Sequence, residues 1–358
     1  MKSGNTITAV TIATLAATAG LLVAGPLNPP GGPVTGTYKT LTEVEPRIAI
    51  NLANTPGDAD SLFKITQPGS YYLTGNISGV VGKHGIEIAA NNVTIDLSGF
   101  DLVGVTGMGA FDGVSLTAFS AQNIVVRNGS VRGWGDAGVD LANSYGLNCR
   151  IESVLASRNI GHGITVGLSA AVTACSSFDN GGDGIRTDSV CVVADCLAYS
   201  NSGAGIDVGD GGTALRCTAS FNDSTGISVG SGSTVADCVA RFNTGSGITV
   251  SSQSVVRGNT STSNGNLGGD GGGIHVLGTD NRIEGNQCTG SDRGIDVDTA
   301  GNFIIRNTCS GNAVNWTIVA NNVVGPILDR TAPASAAING NSAPDSTGST
   351  HPNANFTY

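Results

Sequence analysis

Residues 201–221, NSGAGIDVGDGGTALRCTASF, and residues 222–242, NDSTGISVGSGSTVADCVARF, are two copies of one pattern. Each opens on Asn, reaches a Gly-Ile-x-Val tetrad four residues later, and carries Cys at its seventeenth position. Working outward, the tetrad glycine recurs at Gly85, Gly113, Gly138, Gly163, Gly184, Gly205, Gly226, Gly247, Gly273 and Gly294, each followed by Ile or Val. From Gly163 the spacings are 21, 21, 21, 21, 26 and 21, and one more step reaches Asn315-Trp316. The earlier spacings are 28, 25 and 25, and a five-residue insertion, Gly265 to Gly269, accounts for the 26. Two further columns keep the same register: Asn159, Asn180, Asn201, Asn222, Asn243 and Asn264, and Cys175, Cys196, Cys217 and Cys238 followed by Asn259.

A fixed period of this length marks a solenoid. No 3.6-residue periodicity survives within the unit, and each tetrad sends two apolar side chains to one face, as in Ile206/Val208 and Ile227/Val229. Leucine-rich repeats are excluded because their leucine signature is missing. The fold predicted is all-β, a single-stranded right-handed parallel β-helix of about eleven coils stacked at ~4.8 Å, with caps at both ends. Stacked Asn side chains are expected to form an amide ladder, at a turn position where Asn tolerates left-handed backbone angles. The cysteine column reads as small apolar residues in a file. Free buried thiols are favoured because parallel side chains hold their Cβ atoms too far apart; disulfides between neighbouring coils, with Cys288 and Cys309 a further pair, stay open. Four ligands in a straight line do not surround a tetrahedral zinc.

Composition agrees with a β-protein: 54 glycines, 12% charged residues and 39% hydrophobic residues. A net charge of -10, with no lysine after Lys83, excludes nucleic acid as a partner and disfavours anionic membranes. The apolar run Ile7 to Ala24 behind Lys2 reads as a signal peptide, so a secreted, periplasmic or cell-surface location is expected, with no membrane insertion after cleavage. The organisation is then 1–24 signal peptide, 25–37 Pro/Gly-rich spacer, 38–84 N-terminal cap and first strands, 85–325 β-helix, and 326–358 C-terminal cap or tail. Phe356 and Tyr358 are expected to tuck against the last coil.

Chemistry is sought on the residue between the two inward ones of each tetrad: Glu87, Ser115, Asp140, Thr165, Arg186, Asp207, Ser228, Thr249, His275 and Asp296. The densest candidate catalytic group is His162, Asp183, Arg186, Asp188 and Asp207, over three successive coils. Paired carboxylates serve a hydrolase, and a base with a cation serves a lyase; an exposed Arg186–Asp207 ion pair on a solvated face is the competing reading. Gly161-His162-Gly163 resembles the tripeptide of polygalacturonases, but their companion motifs are absent. Asp296 and Asp298, with His275 and Asp292 nearby, are the candidate metal ligands, and calcium is the ion such oxygens suit; no other cofactor is implied. The strip has no aromatic residue, which counts against a dedicated polysaccharide enzyme.

The spacer GPLNPPGGPVTG, the segments TLTEVEPRIAI and FKITQPGSYYLTGN, the strand pair NNVTIDLSGFDLVG and the closing GPI and NANF together resemble secreted right-handed parallel β-helix proteins of the planctomycete type, within the pectate-lyase-like superfamily. That resemblance covers nearly the whole chain and implies fold and export. It leaves function open between a structural or cell-surface protein that binds polysaccharide or envelope glycan through a polar groove, and a carbohydrate-active enzyme (lyase, epimerase or hydrolase) acting on an acidic polysaccharide.

Overall fold

A computed structural model of the chain describes residues 45–119, 121–142, 146–265, 271–329 and 351–358. The expected signal peptide and spacer, most of the Gly265–Gly269 insertion and much of the C-terminal tail lie outside them. The chain divides into Met1–Pro46 and Arg47–Tyr358, and the solenoid is the second unit.

The described residues are all-β, with no helix. A 12-stranded sheet runs from Ser61–Ile65 to Val314–Ile318, and a 24-stranded sheet holds the remaining strands. A typical coil gives one strand to the first sheet and two to the second, as in Ile185–Thr187, Val192–Ala194 and Leu197–Tyr199. Two eight-residue strands, Val125–Arg132 and Arg150–Ser157, join the two faces of the larger sheet into one. Pairing is parallel and in register, Ile185 on Ile206, Ile227 and Ile248 in turn. The solenoid has about 13 turns. One turn beyond the eleven read from the tetrads is Ser61–Ile65, which has no Gly-Ile signature and pairs with His84–Ile88 as a full rung.

The tetrad residues point inward as expected: Ile206, Ile227 and Ile248 have no exposure. The Asn ladder forms. Asn222 Oδ1 accepts from the Asn201 backbone N–H at 3.1 Å and its Nδ2 at 3.0 Å, while Asn222 Nδ2 donates onward to Asn243 Oδ1 at 2.9 Å and to the Ala198 carbonyl at 3.3 Å. The ladder starts above the buried Trp134, whose backbone N–H donates to Asn159 Oδ1. The left-handed residue, however, is the one before each Asn: Arg158, Asp179, Ser200, Phe221, Phe242 and Ser263 have φ of 53–57°. That residue turns the chain, and the Asn that follows is thereby aimed inward. A left-handed non-glycine residue costs about 1–2 kcal/mol, which the ladder bonds must offset.

The ladder also explains the glycine column. A Cβ on Gly184, Gly205 or Gly226 would lie 2.5–2.6 Å from the Nδ2 of Asn201, Asn222 or Asn243. Gly and Asn are therefore one packing unit read as two columns. All eight cysteines are free and buried. The chain terminus closes the last coil differently from expectation: Asn355 and Thr357 turn inward, Phe356 is half-buried, and Tyr358 is 53% exposed. Asn355 Oδ1 accepts from the Asn307 N–H at 2.8 Å, and Thr357 accepts from Trp316 Nε1 at 2.7 Å.

Candidate functional site

The strip predicted on the 12-stranded sheet exists in register: Asp140 on Thr165, Thr165 on Arg186, Arg186 on Asp207 and His275 on Asp296. It is not uniformly open. Arg186 is exposed, whereas Glu87, Ser115 and Asp296 are buried. Glu87 is held by Lys64 at 2.6 Å and Thr117 at 2.6 Å.

Mid-strip lies an open depression of about 380 Å³ whose lining includes Asp136, Asp140, His162, Thr165, Arg186 and Asp188. Three of the five predicted catalytic residues, His162, Arg186 and Asp188, thus share one concavity. Asp207 sits on the next rung, where burial and then the Asp183 charge raise its carboxyl above the ordinary value. The ion pair weighed for Arg186 does not form: Arg186 has no carboxylate within 4.0 Å among the described residues. Sequence reasoning missed Asp136. It belongs to a 25-residue coil, and it comes beneath the next turn because Gly161, which lacks a Cβ, sits directly over its carboxyl. The Gly161 N–H donates to the Asp136 carbonyl at 2.9 Å.

Asp183 is occupied in a turn. Its backbone N–H donates to His162 Nδ1 at 2.9 Å, and its Oδ1 accepts from the Ala204 N–H at 2.7 Å. The same three-coil arrangement occurs with His84, Asp112 and Ala137, at 2.9 Å and 2.9 Å. A geometry that recurs at a second place on the strip is a way of closing turns between coils. It also sets the tautomer: Nδ1 accepts, so the proton of a neutral His162 resides on Nε2. In the earlier copy burial lowers the His84 pKa, and burial with the nearby Asp140 charge pushes the Asp112 carboxyl up to about 7.

Of the candidate metal ligands, His275, Asp296 and Asp298 place donor atoms within 4.8 Å of one another; Asp292 is outside that group. Exposed aromatics do occur, but away from the strip. Tyr199 meets Phe221 edge-on at 5.4 Å, Phe221 stacks on Phe242 at 4.9 Å, and the Arg241 guanidinium lies 4.7 Å from the Phe242 ring centre. These ring contacts, between residues of three successive coils, tie the coils together.

No family description matches this sequence, and no curated protein sequence matches it. Solved structures do. The A-module of mannuronan C-5 epimerase AlgE6 from Azotobacter vinelandii superposes with a TM-score of 0.65 at 17% identity, over 78% of this chain and 87% of that one. The A-module of AlgE4 from the same organism gives 0.63 at 16%, over 78% and 88%. The Dettilon tailspike protein gives 0.51 at 18%, over 70% of this chain and 57% of that one. At these identities what is shared is the fold, and this chain is a right-handed parallel β-helix.

Proposed function

We propose that this chain is a secreted, cell-surface β-helix protein of the planctomycete type that binds an extended, hydroxyl-rich glycan along the polar strip of its 12-stranded sheet. One observation carries the reading: Asp136, Asp140 and Asp188 converge with an exposed, unpaired Arg186 in one depression. Ionised carboxylates only accept hydrogen bonds, which suits sugar hydroxyls, and a lining with three carboxylates to one guanidinium repels a polyanion. The strip therefore favours a neutral polysaccharide over an acidic one. The expected export agrees with the N-terminal apolar run, and the mass of the mature chain checks removal of residues 1–24. Titration of neutral and uronate-containing oligosaccharides tests the binding. Neutral ligands are expected to bind and to weaken about tenfold in Asp188→Ala, the loss of one charge-assisted contact. Absence of glycan binding, or wild-type affinity in both Asp188→Ala and Arg186→Ala, overturns the reading.

A second reading, an enzyme acting on a uronate polymer, is favoured by His162, whose tautomer is set by Asp183 and whose ring lines the same depression as Arg186. Arg186 would take the uronate carboxylate and His162 Nε2 would exchange a proton. Deuterium entering sugar C-5 during incubation of oligomannuronate in heavy water, lost in His162→Ala, would replace the first reading with this one.

A further inference from the structure

Away from that depression, three donor atoms from adjacent rungs meet farther along the strip. His275 and Asp296 are register partners, and Asp298 follows two residues beyond Asp296. His275 Nε2 lies 2.9 Å from Asp298 Oδ2 and 3.7 Å from Asp296 Oδ2. The Asp296 side chain is completely buried. Its Oδ2 accepts from Arg293 Nη1 at 2.6 Å, while its Oδ1 is buried with no hydrogen-bond partner. A buried carboxylate oxygen left without a donor is rare and calls for a missing cationic or hydrogen-bonding group.

We propose that His275, Asp296 and Asp298 bind a divalent transition metal of the zinc type. Ligands about 2.0–2.1 Å from a tetrahedral zinc are about 3.3 Å apart, and the separations of His275 Nε2 from Asp298 Oδ2 and from Asp296 Oδ2, the oxygen that Arg293 also holds, fall on either side of that value, with the orphan Oδ1 on the same Asp296 carboxylate. An imidazole nitrogen among the three donors, with only two carboxylates, suits zinc better than the calcium expected from the acidic residues alone. Arg293 holds the Asp296 carboxylate in place as an outer partner. Asp298, 49% exposed, leaves a path for the ion and room for a water ligand.

The test is calorimetric titration of the full folded chain with Zn²⁺ and, separately, Ca²⁺, alongside thermal unfolding with and without each ion. The chain has four histidines, and its eight cysteines are buried, so few other sites compete. One equivalent of Zn²⁺ is expected to bind and raise the unfolding temperature, with affinity falling about tenfold or more in both His275→Ala and Asp298→Asn. Asp298 is half exposed, so its variant keeps the fold even if the histidine variant does not. No zinc binding, wild-type zinc affinity in Asp298→Asn, or binding of calcium alone overturns the proposal. The glycan titrations above are read independently of this result.

Discussion

The interior file that begins at Cys175 changes chemistry halfway along. From Cys196 to Cys238 the thiols donate to carbonyls 24 residues earlier at 3.5–3.6 Å. From Asn259 onward Asn286 and Asn307 reach the carbonyls of Val256 and Ile283 at 2.9 Å, and their Oδ1 atoms accept the backbone N–H of Asn259 and Asn286. One slot is thus filled first by a weak sulfur donor and then by an amide that both donates and accepts. The apolar lining does not change with it: Val193, Ala214 and Val235 before the cysteines and Val256, Ile283 and Ile304 before the asparagines are all fully buried. What changes is the bonding between coils, and the amide file ends by capturing Asn355 of the returning strand. Neighbouring thiols and burial push Cys196 and Cys217 up to about 12, so these two thiols stay protonated at neutral pH, while the Cys196 thiol draws its neighbour Cys175 below the ordinary value.

Six substitutions would sharpen or break this contrast. Asn222→Ala, in the all-amide ladder, takes the acceptor from the Asn201 N–H and the side-chain donor from the Ala198 carbonyl, while Asn243 Oδ1 keeps the Asn222 backbone N–H; at about 1–3 kcal/mol per buried orphan, denaturant unfolding should show a loss of about 3 kcal/mol. A loss below about 1 kcal/mol would mean that the amides are passengers. Gly205→Ala drives a Cβ to within 2.5 Å of the same amide and should cost about 2–3 kcal/mol. Gly285→Ala, at φ +65° with nothing within 4 Å, should cost only the backbone term of about 1 kcal/mol.

The two halves of the mixed file should respond unequally to exchange. Asn259→Cys removes the amide that accepts the Cys238 N–H and should cost about 1–2 kcal/mol, while Cys238→Asn, which extends the amide run by one coil, should stay within about 1 kcal/mol of wild type. Equal losses would show that the file is indifferent to its chemistry. The smallest effect is expected at Val190, a β-branched residue at φ 62° where the next two coils carry Gly211 and Gly232. Val190→Gly should stabilise by about 0.5 kcal/mol, relief of left-handed strain less the added chain entropy, read as a small rise in the unfolding midpoint.

The period, the inward Ile and Val faces, the Asn ladder and the composition of the outer strip were all legible in the one-dimensional pattern. In a translational repeat, spatial neighbours stand at a constant offset, and a column in the text is a column in the molecule. That correspondence weakens where the offset changes. Asp136 joins His162 across a coil of 25 residues, and Ser61–Ile65 forms a rung without the tetrad. It says nothing about turns, where a dihedral angle decides which way a side chain leaves. Placing the left-handed bend on Phe221 in place of Asn222, setting His162 against the Asp183 N–H, leaving Arg186 without a carboxylate and pairing Arg293 with only one oxygen of Asp296 were decided by the folded backbone. Each depends on distances of a few tenths of an ångström between groups that the repeat brings near one another but does not orient.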